Sequence, residues 1–505
     1  MGQGETCVGY RMKNTVQLIT YVDRFGGGGL RELQCLLEGP LAGLFGGVHL
    51  LPFFHPIDGA DAGFDPIDHT EVDPRLGVWS DVRALSRVVE IIGDVIVNHV
   101  SSESPQFQDF SARGSASPFA GMFLTLDRVF PGGATERDLT AIYRPRPGLP
   151  FTIKTLETGE RRVLWTTFTP QQVDIDVSDP LGRAYLDGIL DKFAENGIRM
   201  VRLDAVGYAI KKAGTSSFMI PETFAFIDEF AARAHRRGIE VLVEIHSHYR
   251  KQIEVAARVD WVYDFALPPL VLHAFATRTA VHLKEWIAIR PRNALTVLDT
   301  HDGIGVIDIG ADPADRAGRP GLVPPAELDA LVEFIHEQSG GDSRLATGAA
   351  ASNLDLYQVN CTFYDALGRN DRAYLIARAV QLFLPGIPQI YYVGLLAGGN
   401  DLALLSSSTV GRDINRHYYE REEIMAALDR PVVADLFDLI RLRNAHPAFG
   451  GEFSLHASSA AALVMRWTLG DEAVELAVSF DEPDLQLRSA RGGRWQTADW
   501  RCFAG

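Results

Sequence analysis

Cysteine is scarce: Cys7, Cys35, Cys361 and Cys502 are scattered through 505 residues, with no Cys-x-x-Cys and no metal-type spacing. That pattern excludes a disulfide framework and reads as free thiols in a reducing compartment, so a cytoplasmic enzyme is expected. No uninterrupted apolar run is long enough to span a membrane, and the polar stretch Met1 to Arg11 has no apolar core for a secretion signal. Positive charge is also in short supply, 48 Lys and Arg against 65 Asp and Glu, a net charge of −17. A phosphate backbone needs a basic face, so nucleic acid is excluded as the main partner and the acidic balance reads as solubility. The glycine run Gly26 to Gly29 satisfies a dinucleotide-type pattern only trivially, with no acidic residue suitably placed after a second strand. It reads as a loop before a helix.

What is present is an alternation. The apolar fraction of 46% and charged fraction of 22% are those of a globular protein, and the length exceeds one ordinary domain. β-favouring runs occur at Thr15–Tyr21, Gly47–Pro52, Asp94–His99, Arg199–Asp204, Glu240–Glu244, Trp261–Phe265, Ala294–Asp299 and Ile387–Tyr392. Helical patterns lie between them, among others at Ser80–Val89, Leu181–Asn196, Glu222–Arg237, Arg372–Leu384 and Pro431–Asn444. Eight strands alternating with helices predict an α/β fold, a (β/α)8 TIM barrel with two loop-rich insertions and a small C-terminal β-domain. The barrel is assigned to residues 1–97, 180–304 and 369–448, the insertions to 98–179 and 305–368, and the β-domain to 449–505.

Catalytic groups of such barrels sit at the C-terminal strand ends. There the sequence offers His99, then Arg202 and Asp204, then Glu244, then His301 and Asp302. Arg202 and Asp204 are two residues apart on a strand and point to one side, so the guanidinium favours an ionised Asp204. One carboxylate could close a strand end. Three acids, two histidines and an arginine at one mouth are costly unless chemistry uses them. Glycoside chemistry needs such a set: a carboxylate that attacks the anomeric carbon and an acid that protonates the leaving oxygen. Asp204 is the candidate nucleophile. Glu244, crowded by a second acid and partly desolvated, is the candidate acid with a raised pKa. Asp302 would stabilise oxocarbenium-like charge or hold ring hydroxyls. Phe53, Phe54 and Phe64 lie in an Asp-rich loop, as a sugar-stacking wall would. Tyr143 to Pro150 is a proline-stiffened segment with two arginines, which reads as an exposed loop or an anion contact.

Asp94-Val95-Ile96-Val97-Asn98-His99, Arg202-Leu203-Asp204-Ala205, Glu244-Ile245-His246 and Thr300-His301-Asp302 resemble, in order, the four signature segments of the α-amylase superfamily. Gly59 to His69, Ile142 to Phe151, Phe168 to Asp174, Asn353 to Gln358 and Gly411 to Arg416 resemble the sucrose phosphorylase family within it. The resemblance spans about Met12 to Phe449, is weak over the tail and absent over residues 1–11, which look like an extension or a misplaced start. It implies a retaining double displacement in which Asp204 attacks sucrose, Glu244 protonates the fructosyl oxygen, and Asp302 stabilises the transition state. Fructose leaves, inorganic phosphate enters and glucose 1-phosphate is released. It also implies a glucosyl site lined by Asp61, Phe64, His99, Arg202, His301 and Arg412. The acceptor side is implied to carry Tyr143, Arg146, Tyr208, His246, Asp355, Leu356, Tyr357 and Gln358, and the same segments add Phe168, Gln172 and Ile245 to the substrate-binding set. In the family a mobile loop in the second insertion exchanges fructose-binding Asp355 and Gln358 for phosphate-facing Tyr357, with Arg146 on the opposite wall. A phosphate entering a site already full of carboxylates needs such a basic residue.

The resemblance implies no metal and no organic cofactor, although Asn98 matches a calcium ligand of true amylases, and it suggests a homodimer. His55 stands where related sequences often carry Thr, with no functional account. The alternatives are a phosphorylase of sucrose 6′-phosphate, glucosylglycerol or glucosylglycerate, an α-glucoside hydrolase or transglucosidase, and a non-catalytic barrel.

Overall fold

The computed structural model describes residues 11–58, 62–144, 148–312, 318–347 and 358–497. Eight strands form a closed barrel: β1 (Gln17–Thr20), β2 (Gly47–Leu50), β3 (Glu90–Ile96), β4 (Ile198–Asp204), β5 (Glu240–Val243), β6 (Trp261–Asp264), β7 (Ala294–Thr296) and β8 (Ile387–Tyr391). All neighbours are parallel, in sequence order, and β8 closes on β1 with Gln389 beside Gln17. Helices cover the outside: α1 (Gly29–Glu38), α2 (Trp79–Leu85), α3 (Pro180–Glu195), α4 (Pro221–His235), α5 (Tyr249–Ala256), α6 (Leu267–Thr277), α7 (Val281–Ile289), α8 (Pro325–Gln338), α9 (Asp371–Phe383) and α10 (Pro431–Ala445). Their starts follow the capping rules. Asp179 accepts the Leu181 amide at 2.9 Å ahead of Pro180, and Asn370 accepts that of Ala373 at 2.9 Å.

Two strands differ most from the sequence expectation. β3 starts at Glu90, because Glu90 pairs with Gly47 and its carboxylate accepts the Lys13 amide at 3.0 Å. It ends at Ile96, so His99 lies outside the barrel ladder. His99–Ser101 pairs instead, antiparallel, with Gln172–Asp174 of the excursion that follows. β7 stops at Thr296, three residues before Asp299. The chain beyond it is held by side chains: Arg378 on Asp299 at 2.6 Å, Asn415 on the Thr300 carbonyl and Arg416 on the His301 carbonyl, both at 2.9 Å.

The excursion between β3 and β4 is more ordered than a loop. It holds the hairpin Phe151–Thr155 with Arg161–Trp165, short helices, and a small core of Leu124, Phe130, Ile142 and Trp165. After α10 the chain forms a five-stranded antiparallel sheet from Glu452 to Thr497. Its second strand alternates, with Leu463, Met465 and Trp467 turned inward, and Trp467 donates to the Phe383 carbonyl of α9 at 2.7 Å. Among the described residues, no helix is long and apolar enough to cross a membrane. Cys35 and Cys361 are free thiols, and Cys7 and Cys502 lie outside the described residues.

Candidate active site

The inside of the barrel is polar along one path. Gln389 donates to Gln17 at 2.8 Å and accepts from Tyr263 at 3.1 Å; Tyr263 meets His49 at 3.1 Å, and His49 meets Asp94 at 3.0 Å. Asp94 then takes the Arg202 guanidinium. These groups are fully buried, so each depends on its neighbour. Burial opposes the charge of Asp94, but Arg202 and His49 outweigh it and hold the carboxyl down to about 2. Arg202, fixed from below, faces upward to two further acids: Nη1 lies 3.0 Å from Asp204 and Nη2 3.1 Å from Glu244. Glu244 therefore shares a guanidinium with Asp204, where the sequence suggested only crowding by acids.

Asp204 is the last residue of β4, and Ala205 after it is left-handed at φ 54°. That conformation strains a residue with a Cβ. It turns the chain into the short 3₁₀ turn Val206–Tyr208, which brings Tyr208 alongside.

Asp302 is the third acid. Burial pushes its carboxyl up, but Arg412, with Nη1 at 2.7 Å, and neighbouring cationic groups hold it well below the usual carboxylate range. His246 connects the acids: its Nε2 is 3.8 Å from Glu244 and 3.8 Å from Asp302, and its Nδ1 is 2.9 Å from Asp308. Burial would lower His246, yet Asp308 outweighs it and raises the imidazole above its ordinary value. Burial pushes the Asp308 carboxyl up as well. Donors on His246, the Ser247 amide at 3.0 Å and Gln252 at 3.0 Å favour the carboxylate, and we take the pair as imidazolium on carboxylate. Phe265 stacks on His246 at 3.9 Å, and Gly305 leaves no room for a Cβ, which would lie 2.3 Å from Asp308.

A folded-state pKa raised in this way adds stability that is complete below about pH 6.5 and is lost as pH rises through the raised value. Between about pH 6 and pH 9 the urea midpoint of the protein is expected to fall more than that of Asp308→Asn. Equal slopes in the two proteins would remove the His246–Asp308 ion pair from the account.

One wall of the mouth is aromatic. Phe64 stacks on His301 at 4.9 Å and 11°, with Arg202 over its ring at 5.5 Å. The Phe64 carbonyl is held by His99 at 3.0 Å and Gln172 at 3.5 Å. Tyr208 meets Phe168 edge-on at 5.2 Å and lies 6.2 Å from Tyr143. Ile245 is buried between Glu244 and His246, and Gln358 reaches His246 Nε2 at 3.3 Å. Asp204, Glu244, Asp302, Phe64, His99, Tyr143, Phe168, Gln172, Arg202, Tyr208, Ile245, His246, His301, Gln358 and Arg412 thus gather around one mouth. Asp61, Arg146, Asp355, Leu356 and Tyr357 lie outside the described residues.

Sequence reasoning missed Asp308, His49 and Tyr263 as positioning groups. Asp308 sits 62 residues from His246 with no motif around it. The polar residues His49 and Tyr263 inside otherwise apolar strands were the available signal for the other two. His55 is half-exposed and 3.8 Å from Asp73, at the edge of a small hairpin.

Asn98 meets a cation from within the chain. Lys211 Nζ, buried, donates to Asn98 Oδ1 and the Tyr208 carbonyl and pairs with Asp174 at 2.6 Å. Burial lowers this ammonium and Asp174 opposes the shift. Lys211→Met leaves Asp174 buried without its counter-charge. A loss of about 3–5 kcal/mol is expected, read by chemical denaturation.

The closed barrel with acids at the ends of β4 and β5 and beyond β7 defines the class by fold, a barrel built like that of the α-amylases. The α-amylase from H. orenii superposes with a TM-score of 0.63 over 93% of this chain and 90% of its own, at 15% identity, which speaks for the fold alone. No family profile matches the chain. A sucrose phosphorylase of Agrobacterium vitis is 64% identical over 471 residues, covering 93% of this chain and 96% of that protein. The sucrose 6F-phosphate phosphorylase from Thermoanaerobacter thermosaccharolyticum superposes with a TM-score of 0.88 at 37% identity, covering 97% of this chain and all of that one. The chain belongs to the sucrose phosphorylase family.

Proposed function

We propose that this protein is a sucrose phosphorylase, a glycosyltransferase-type enzyme converting sucrose and inorganic phosphate to α-D-glucose 1-phosphate and D-fructose. The observation that carries the reading is 64% identity to a sucrose phosphorylase over nearly the whole of both chains, against 37% for the sucrose 6F-phosphate enzyme. The site geometry supports a retaining double displacement. Asp204 and Glu244 rest on adjacent nitrogens of one guanidinium, which favours the short spacing of a retaining pair, about 5–5.5 Å, over the about 6.5–9.5 Å that admits an inverting water.

In this mechanism Asp204 attacks the glucosyl carbon while Glu244 gives its proton to the fructosyl oxygen. Developing positive charge is met by Asp302, kept anionic by Arg412. Fructose leaves with the proton. Phosphate then attacks the glucosyl–Asp204 ester, and Glu244 takes back a proton, releasing glucose 1-phosphate and free Asp204. Asp355 and Gln358 are assigned to fructose, Arg146 and Tyr357 to phosphate, and Leu356 to the acceptor side with His246. No metal or organic cofactor takes part. A homodimer in the cytoplasm is the assembly expected, with the substrate-shaping insertions at 98–179 and 305–368.

The test is sucrose consumption with and without phosphate, following glucose 1-phosphate, fructose and glucose together. Equal glucose 1-phosphate and fructose in the presence of phosphate is the expected result, with slow release of glucose and fructose in equal amounts when phosphate is withheld. Glucose released at the same rate without phosphate would establish a hydrolase. Inert sucrose would move the acceptor to a phosphorylated or glycerol-like relative.

A further inference from the structure

Behind β6, on the outer layer of the barrel, two histidines from neighbouring helices converge on one carboxylate oxygen. His273 of α6 places Nε2 2.8 Å from Glu327 Oε2 of α8, and His282 of α7 places Nε2 3.7 Å from the same oxygen. The imidazole rings are 5.3 Å apart and edge-on at 66°. The three ligand atoms all lie within 4.8 Å of one another. We propose that His273, His282 and Glu327 form a zinc site that ties α8, in the excursion after β7, to the α6–α7 pair.

The donor set and its spacing argue for this. Zinc takes imidazole nitrogen and carboxylate oxygen at about 2.0–2.1 Å, which sets tetrahedral ligand atoms about 3.3 Å apart. The nitrogen–oxygen distances of 2.8 and 3.7 Å lie on either side of that edge, and the ligand atoms all lie within 4.8 Å of one another. The second nitrogen of each ring already has an oxygen partner. His282 Nδ1 is 3.0 Å from Glu285 Oε2, and His273 Nδ1 is 3.5 Å from Thr277 Oγ1, whose hydroxyl donates to the His273 carbonyl. A carboxylate or hydroxyl behind a ligating imidazole fixes its tautomer and raises its basicity, leaving Nε2 for the metal. With each Nδ1 facing an oxygen that accepts, a neutral imidazole keeps no proton on Nε2 to give Glu327, whereas an ion satisfies both rings. His273 is buried, with a side chain 1% exposed, while Glu327 is 43% exposed, which provides an entry path and a fourth position for water. Two imidazoles and one carboxylate also suit nickel and copper, which compete in the usual affinity order.

The site is separate from the catalytic acids, although Glu244, His246 and Asp302 are also clustered closely enough to hold an ion. The experiment therefore uses four chelator-treated full-length proteins: the parent, Glu244→Gln, His282→Ala and Glu327→Gln. Zinc binding is measured by equilibrium dialysis, and the melting temperature with and without zinc. The expected result is one zinc per chain in the parent and in Glu244→Gln, with at least about 10-fold weaker binding in His282→Ala and Glu327→Gln. Zinc at about 100 times its dissociation constant raises the melting temperature of the parent by about 2–3 °C and leaves that of His282→Ala unchanged. Binding that survives in both helix variants, or is lost only in Glu244→Gln, would overturn the site. So would the absence of zinc binding to the parent below about 100 μM.

Discussion

Asp204→Asn is expected to lower sucrose turnover by about four orders of magnitude or more while the protein melts no lower than the parent. On the proposed mechanism the loss is large because no other group would form the glucosyl ester, and residues that act as one catalytic unit cannot substitute for one another. The fold is spared because asparagine keeps the shape, and Arg202 keeps Asp94 beneath it and Glu244 beside it. Relieving one of three acids on a single guanidinium can even raise stability, the usual trade at a functional site. Steady-state phosphorolysis and a thermal melt on the same sample check it. A variant with substantial residual turnover would remove Asp204 from the nucleophile role, and one that fails to fold would make Asp204 a structural partner of Arg202.

Glu244→Gln should produce the second large effect, about 10²–10⁴-fold on sucrose, the range of general acid catalysis. Its signature is selectivity. An α-glucosyl donor with a leaving group that needs no proton, such as fluoride, should lose far less, because only protonation of the departing oxygen has been removed. Formation of the glucosyl–Asp204 ester from that donor would proceed while its transfer to phosphate, which needs a proton taken back, slows. A uniform loss on both donors would indicate that Glu244 positions Arg202 and does not act as acid.

The barrel was legible because its strands are short buried runs separated by amphipathic helices, and that pattern survives without any knowledge of contacts. The ends of the strands were less so. His99 follows an apolar run and reads as strand, but its pairing is with Asp174, 75 residues downstream in the excursion. The three acids and Arg202 were readable from spacing and signature segments. What holds them was not. Asp308 supports His246 across 62 residues, and Gly305 is required because a Cβ there would meet the Asp308 carboxylate and crowd His246. Asn98 resembles a calcium ligand in isolation, and only the fold reveals that Lys211 supplies the positive charge there.

The polar path inside the barrel has a consequence for how activity is acquired. It begins at Gln17 and Gln389, on the two strands that close the cylinder, and ends at the guanidinium that carries Asp204 and Glu244. These two strands are also the most distant in sequence, 372 residues apart at this contact, so their pairing is the slowest to form in a refolding chain. Until that seam zips, Tyr263, His49 and Asp94 lack one end of their chain of partners and Arg202 has no fixed seat. Recovery of turnover after dilution from denaturant should therefore lag behind recovery of helical signal. An early truncated or heat-opened cylinder should be compact, helical and catalytically silent.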